Sequence, residues 1–164
     1  MVNNNIIEAL NRQLNAELYS SYLYLAMAAY LEHENFGGFS RWMQVQSQEE
    51  YGHGMKLYGY IHEVGGKVKL QSIEAPKEAW KSVQDVFEET FKHEQEVTKS
   101  IYSIVDLTVT EKDHATNNFL QWFVNEQVEE ESTADRILKK IKLIGDTKNG
   151  LFLLDREMGM RGNK

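Results

Sequence analysis

Apolar residues recur at helical spacing along four long stretches of the chain, and each apolar column is interrupted near its middle by a glutamate. Stepping by sevens, the first column reads Leu10, Glu17, Tyr24, Leu31 and the second reads Met43, Glu50, Leu57, Val64. The third is Trp80, Phe87, Glu94, Ile101, Thr108. The fourth stretch has Phe123, Glu130, Ile137, Ile144 and, beside it, Leu120, Gln127, Ala134, Ile141. Positions seven apart stay on one face of a helix, so each glutamate is predicted to face a core.

Turn and cap residues divide the pattern. The first helix is expected from about Asn5 to about Asn35, with Asn3 to Asn5 offering the N-cap and Gly37-Gly38 ending it. The second runs from about Phe39 or Ser40 to Val64 and is closed by Gly65-Gly66. The short connection between them predicts an antiparallel hairpin. The third helix is expected from Lys77 or Glu78 to about Leu107. The fourth begins at Thr110-Glu111-Lys112-Asp113, read as a capping box, and continues to Ile144 before the Gly145 to Gly150 turn. Between the second and third helices lies a mixed segment with the only proline, Pro76. About 15 extended residues reach ~50 Å, whereas a helix of about 27 residues spans only ~40 Å. The segment can therefore traverse the bundle and set the third helix parallel to the second. A short apolar helix, Leu151 to about Met158, is too brief to stand alone and must pack on something, with another subunit as the expected partner. The expected architecture is all-α: a four-helix bundle with a long crossover between its second and third helices and a short fifth C-terminal helix, as one domain over residues 1–164.

Mid-helix positions of such a bundle meet at one height, so Glu17, Glu50, Glu94 and Glu130 should converge, joined by His53 and Gln127. Glu50 and His53, three apart, share a helix face, as do Gln127 and Glu130. Four buried carboxylates repel one another unless protonated or neutralised, and two divalent cations would balance them. Oxygen-rich ligands with a single histidine favour iron or manganese over a structural zinc site. One buried glutamate could equally pair with a lysine or tyrosine; the same feature at one height on four helices points to metal.

Composition narrows the rest. The chain has no cysteine, which excludes disulfides, iron–sulfur clusters and thiol nucleophiles. The net charge of -7 opposes binding to nucleic acid or anionic membranes. No apolar run approaches the roughly 20 residues of a membrane span. Met1 to Asn5 lacks a basic region and does not read as a signal peptide, so a cytoplasmic protein is expected.

Glu17, the run Glu49-Glu50-Tyr51-Gly52-His53, Glu94 and the run Glu126-Gln127-Val128-Glu129-Glu130 together resemble the ferroxidase centre of non-haem ferritins of the bacterial and archaeal type. The likeness spans essentially the whole chain. It implies a hollow shell of twenty-four subunits that oxidises Fe(II) with O2 or H2O2 and stores Fe(III) as a mineral. Carried over by position, Glu17, Glu50 and His53 would hold one iron. Glu50 would bridge to a second iron held by Glu94 and Glu130, with Gln127 close by. Glu49, Glu126 and Glu129, sharing Glu130, resemble a third iron site. The resemblance also implies that Tyr24 hydrogen-bonds near the metals and lends an electron; Trp122 is read as packing. His33, His62, His93 and His114 are read as surface residues. Tyr51 stands where haem-binding relatives carry methionine, so haem is not expected. Asn117, Leu120 and Gln121 put an acidic threefold route for iron in doubt. Two other readings stay open: a di-iron or di-manganese redox enzyme of peroxidase type without storage, and a metal-free structural bundle.

Overall fold

The computed structural model describes residues 2–145 and 147–162; Met1 and Asp146, which belong to the expected N-terminal stretch and the turn after the fourth helix, lie outside them. The described residues form α1 (Asn4–His33), α2 (Gly37–Glu63), α3 (Val83–Thr110), α4 (His114–Ile144) and α5 (Lys148–Met158), with no strand among them. α1 packs on α2 and α3 on α4 as antiparallel hairpins, α1 faces α3, and α5 closes on α2 and α4.

Capping explains where the helices differ from expectation. Asn3 caps α1 by accepting the Asn5 N–H at 2.9 Å. That helix ends two residues earlier than the Gly37-Gly38 pair suggested, because Asn35 takes the left-handed conformation at φ 64° and Phe36 N–H reaches back to Leu31 O at 2.8 Å. Asparagine tolerates this conformation, so the glycines are free to open α2 instead. Gly38 has a separate duty. A β-carbon there would sit 1.6 Å from the Asp155 carbonyl oxygen, so only glycine lets α5 cross α2 this closely.

α3 starts at Val83, later than the predicted Lys77 or Glu78. Ser82 accepts the Asp85 N–H at 3.1 Å while Asp85 accepts the Lys81 N–H at 2.8 Å, a reciprocal cap that sets the boundary. Trp80 therefore lies ahead of the helix, yet it is buried against Tyr30 with its indole N–H donating to Glu89 at 2.7 Å. α4 likewise starts later than Thr110. Asp113 is its N-cap, accepting from both the backbone N–H and the hydroxyl of Thr116, and Lys112 at φ 56° makes the turn. Thr110 belongs to α3.

The crossover runs beside α1, as its length allowed. Asn11 donates to Lys67 O and accepts from Lys69 N–H, and Asn15 accepts from Gln71 N–H one turn further along. Rising residue numbers thus run together in α1 and the crossover, which returns the chain to the far end and makes α3 parallel to α2. α5 is longer than expected and packs on its own bundle through Leu154 and Met158, leaving Phe152 and Leu153 exposed.

The apolar core is not continuous. One cluster gathers Met27, Phe39, Met43, Phe87 and Leu154, and a second gathers Leu10, Leu57, Ile61, Ile101 and Phe123. Between them lies a polar layer.

Candidate metal centre

Glu17 of α1, Glu50 and His53 of α2, Glu94 of α3, and Gln127 and Glu130 of α4 are all buried in this layer. Each sits on a core-facing stripe with apolar residues one or two turns above and below, so the packing of those residues holds the polar side chains inward. Ligand atoms of Glu17, Glu50 and His53 lie within 4.8 Å of one another, as do those of Glu50, Glu94 and Glu130. Glu50 belongs to both triads. A third group, His53, Glu126 and Glu130, meets the same spacing on the partly open side.

Hydrogen bonds orient the carboxylates from outside. Gln13 Nε2 donates to Glu17 Oε1 at 2.8 Å, and Ser100 Oγ donates in turn to Gln13 Oε1 at 2.6 Å. Gln46 Nε2 donates to Glu50 Oε1 at 2.9 Å and to Glu130 Oε2 at 2.8 Å, spanning α2 and α4. Gln127 Nε2 donates to Glu94 Oε2 at 3.1 Å, and the Tyr24 hydroxyl donates to Glu94 Oε1. His53 Nδ1 stands 3.1 Å from Glu50 Oε2, while its ring is braced edge-on by Trp122 and Phe123. Sequence reading missed Gln13 and Gln46. Both are buried four residues ahead of a core glutamate on the same helix, Gln13 before Glu17 and Gln46 before Glu50, which was the available signal.

The electrostatics show what the layer lacks. Among the described residues no lysine or arginine forms an ion pair with Glu17, Glu50, Glu94 or Glu130. Burial, followed by the charge of Glu50, holds the Glu17 carboxyl well above its usual range. Burial and the neighbouring Glu94 and Glu130 do the same to Glu50. Glu94 is raised by burial despite its donors Tyr24 and Gln127, and Glu130 is pushed up to about 7 by burial and Glu94. Tyr24 is also driven up, first by burial and then by Glu94. Glu17 Oε2 and Gln46 Oε1 are buried with no donor at all. Orphaned acceptors beside mutually repelling carboxylates are the environment a cation relieves. The oxygen-rich donor set with one imidazole fits iron.

Other candidates fall differently. Glu126 is close to the centre, with Oε1 3.9 Å from His53 Nε2. Glu49 is exposed and paired to Arg161, and Glu129 is exposed; neither joins a group of converging ligands. Tyr51 is exposed, and Trp122 is half-exposed beneath the Lys56 ammonium. Leu120 is fully buried, which leaves Asn117 and Gln121 as the side chains toward the surface there. His33, His62 and His114 are exposed as read, whereas His93 is half-buried at the edge of a surface cleft. Its ring lies edge-on to Tyr24 with Nε2 2.8 Å from Ser20 Oγ, and burial lowers its pKa. The 100° separation from Glu94 on α3 turns His93 toward α1, with part of its ring still reaching the cleft.

A four-helix bundle whose core is interrupted by two converging triads, Glu17–Glu50–His53 and Glu50–Glu94–Glu130, has the construction of the carboxylate-bundle class, helical proteins whose cores can take a pair of divalent metal ions. Comparison with known proteins makes this specific. Residues 7–144 match the ferritin-like domain. The chain is 45% identical over 161 residues to a bacterial non-heme ferritin of Bacteroides fragilis, covering 98% of this chain and 100% of the relative. A bacterial non-heme ferritin of Staphylococcus aureus is 39% identical over 161 residues, covering 98% and 97%. Among solved structures, an open pore ferritin from the hyperthermophilic archaeon Archaeoglobus fulgidus superposes with a TM-score of 0.97 at 49% identity, covering 98% of this chain and 99% of that one. The chain belongs to the ferritin family.

Proposed function

We propose that this protein stores iron and is a ferroxidase, taking Fe(II) as substrate at the paired triads. The single observation that carries the reading is Glu50, buried and common to both triads. Glu17, Glu50 and His53 would receive one ferrous ion and Glu50, Glu94 and Glu130 the other, with Glu50 setting their separation. Each ferrous ion gives up one electron; O2 takes the two electrons and two protons to become H2O2, or H2O2 takes two electrons and two protons to become two waters. Hard anionic oxygens favour the ferric product. Glu130, titrating near neutrality, releases its proton as iron arrives. Gln127 and Tyr24 hold Glu94.

A third iron position would lie at His53, Glu126 and Glu130, next to the pair and on its open side. Glu49 and Glu129 could complete it only after Arg161 lets go of Glu49. The whole chain acts as one unit in this reading, assembled with copies of itself into a cytoplasmic shell of twenty-four that keeps the ferric mineral inside, without haem.

The test is aerobic addition of ferrous iron at rising ratio to protein, counting ferric iron that stays soluble and protein-bound. Uptake should continue far beyond the few ions the triads hold. Uptake that stops at those few makes the chain a di-metal redox enzyme and removes storage. Unchanged iron oxidation in Glu50→Ala/Glu94→Ala would remove the centre altogether.

A further inference from the structure

We propose that Tyr19, His93 and Tyr24 form an electron-exchange route that connects the metal centre with a reductant-accessible cleft between α1 and α3. The proposal rests on the ferroxidase reading and goes beyond it, because it gives the centre a way to draw electrons from outside the bound iron.

The geometry is continuous. The Tyr24 hydroxyl donates to Glu94, a residue of the second triad, so one end of the route touches the centre. The Tyr24 ring meets the His93 ring edge-on with centroids 5.8 Å apart, and the Tyr19 ring, tilted to His93, lies 6.0 Å from it. The two tyrosine rings are therefore at most about 12 Å apart, and His93 contacts both. Ser20 fixes that ring. Its hydroxyl proton goes to Ala16 O at 3.0 Å, which leaves His93 Nε2–H to donate to Ser20 Oγ at 2.8 Å. Tyr24 is completely buried, whereas Tyr19 and His93 both line a surface cleft of about 610 Å³. Lys77, Lys92, Glu89 and Glu96 also line the cleft. With Asp85 and Glu88 the acids there outnumber the lysines, which disfavours anionic reductants and suits a neutral one of the hydroquinone class.

The steps balance. Oxygen or peroxide at the centre takes one electron from Tyr24, whose phenolic proton moves along its hydrogen bond to Glu94 and leaves a neutral tyrosyl radical. Tyr19 then supplies an electron across His93. The proton on Glu94 returns to Tyr24, and the Tyr19 proton leaves to water in the cleft. The Tyr19 radical recovers an electron and a proton from the hydroquinone. The oxidant has gained one electron and the reductant has lost one hydrogen atom.

Tyr19→Phe keeps the ring and removes the redox-active hydroxyl, so packing is preserved. Ferrous oxidation would be followed optically while rapid-freeze EPR follows the Tyr24 radical, which Tyr24→Phe identifies by abolishing it. In the parent protein hydroquinone should shorten the radical's lifetime. In Tyr19→Phe the lifetime should rise roughly ten-fold and lose its dependence on hydroquinone, while ferrous oxidation keeps its initial rate. Equal lifetimes in the two proteins, or no Tyr24 radical during oxidation, overturn the route. If iron is not oxidised at all, the ferroxidase reading fails, and the route is decided in the metal-free protein. A flash-generated ruthenium(III) oxidant in solution should then produce a Tyr24 radical, marked in high-field EPR by its hydrogen bond to Glu94, in the parent but not in Tyr19→Phe. Failure to see that difference sinks the route independently of iron.

Discussion

At the scale of single residues, the candidate metal centre is a set of carboxylates whose charged forms burial and mutual repulsion disfavour, a state that a bound cation would relieve. Glu130 shows the sign clearly. Its carboxyl is raised in the folded protein from 4.5 to about 7, so the fold prefers it protonated. The associated stability is fully present below about pH 4.5 and is lost as pH rises through 7. Glu17 and Glu50 are raised in the same direction by burial and add to the loss. Metal-free protein should therefore melt at falling temperature from about pH 5 to 8. Glu130→Gln should remove roughly 3 kcal/mol of that dependence, and a bound divalent cation should flatten it. Thermal melts across pH, with and without Zn(II), check this; an identical slope in parent and variant would refute it. Gln46 governs the same pair of carboxylates from behind. Gln46→Leu leaves Glu50 and Glu130 without their shared donor, and ferrous affinity measured anaerobically should drop about ten- to a hundred-fold, the usual cost of losing a group that orients ligands. Circular dichroism of the variant should be unchanged.

At the scale of elements, boundaries and contacts follow from small groups with special conformational rights. Asn35 and Lys112 take left-handed backbone at the two hairpin turns, and Asn11 ties the crossover to α1 through both ends of its amide. α5 depends on Gly38, where the chain can pass within contact of Asp155, and on Asp155 Oδ1 accepting the Phe39 N–H at 2.9 Å. Gly38→Ala places a methyl group into backbone, which cannot rotate away, so α5 must shift. The expected cost is about 1–3 kcal/mol in denaturant unfolding, with the centre's metal binding preserved because α5 contributes none of its ligands. A variant as stable as the parent would show that α5 is docked differently from the structure described.

At the scale of the whole molecule, the two apolar clusters act as end plates that keep the polar layer at mid-bundle. Outside the core, Leu143, Phe152, Leu153 and Met160 are exposed on the α4–α5 end. Adjacent exposed apolar side chains such as Phe152 and Leu153 suit burial against copies of the same chain. Phe152→Glu/Leu153→Glu should leave the helical spectrum intact and shift light scattering from a large particle to small oligomers. Retention of the large particle would place the subunit contacts elsewhere. None of the described helices is long and apolar enough to cross a membrane.

The heptad columns by themselves determined the four long helices, their inward faces and the convergence of Glu17, Glu50, His53, Glu94, Gln127 and Glu130, because helical periodicity is local and a glutamate in an apolar column has few tolerable explanations. Only the tertiary structure decided the rest. Gln13 and Gln46 precede core glutamates by four on their own helices, but their other partners, Ser100 on α3 and Glu130 on α4, emerge only from the packing, and Trp80 continued a helical column that the Ser82 cap cut short. Glu49 shared the resemblance with its neighbours, yet Arg161, 112 residues away, holds it at the surface. His93 read as exposed because its own helix says nothing of α1, and it is the packing of α1 on α3 that brings it against Tyr19 and Tyr24. Periodicity assigns a face to each residue, whereas partners distant in sequence decide what that face meets.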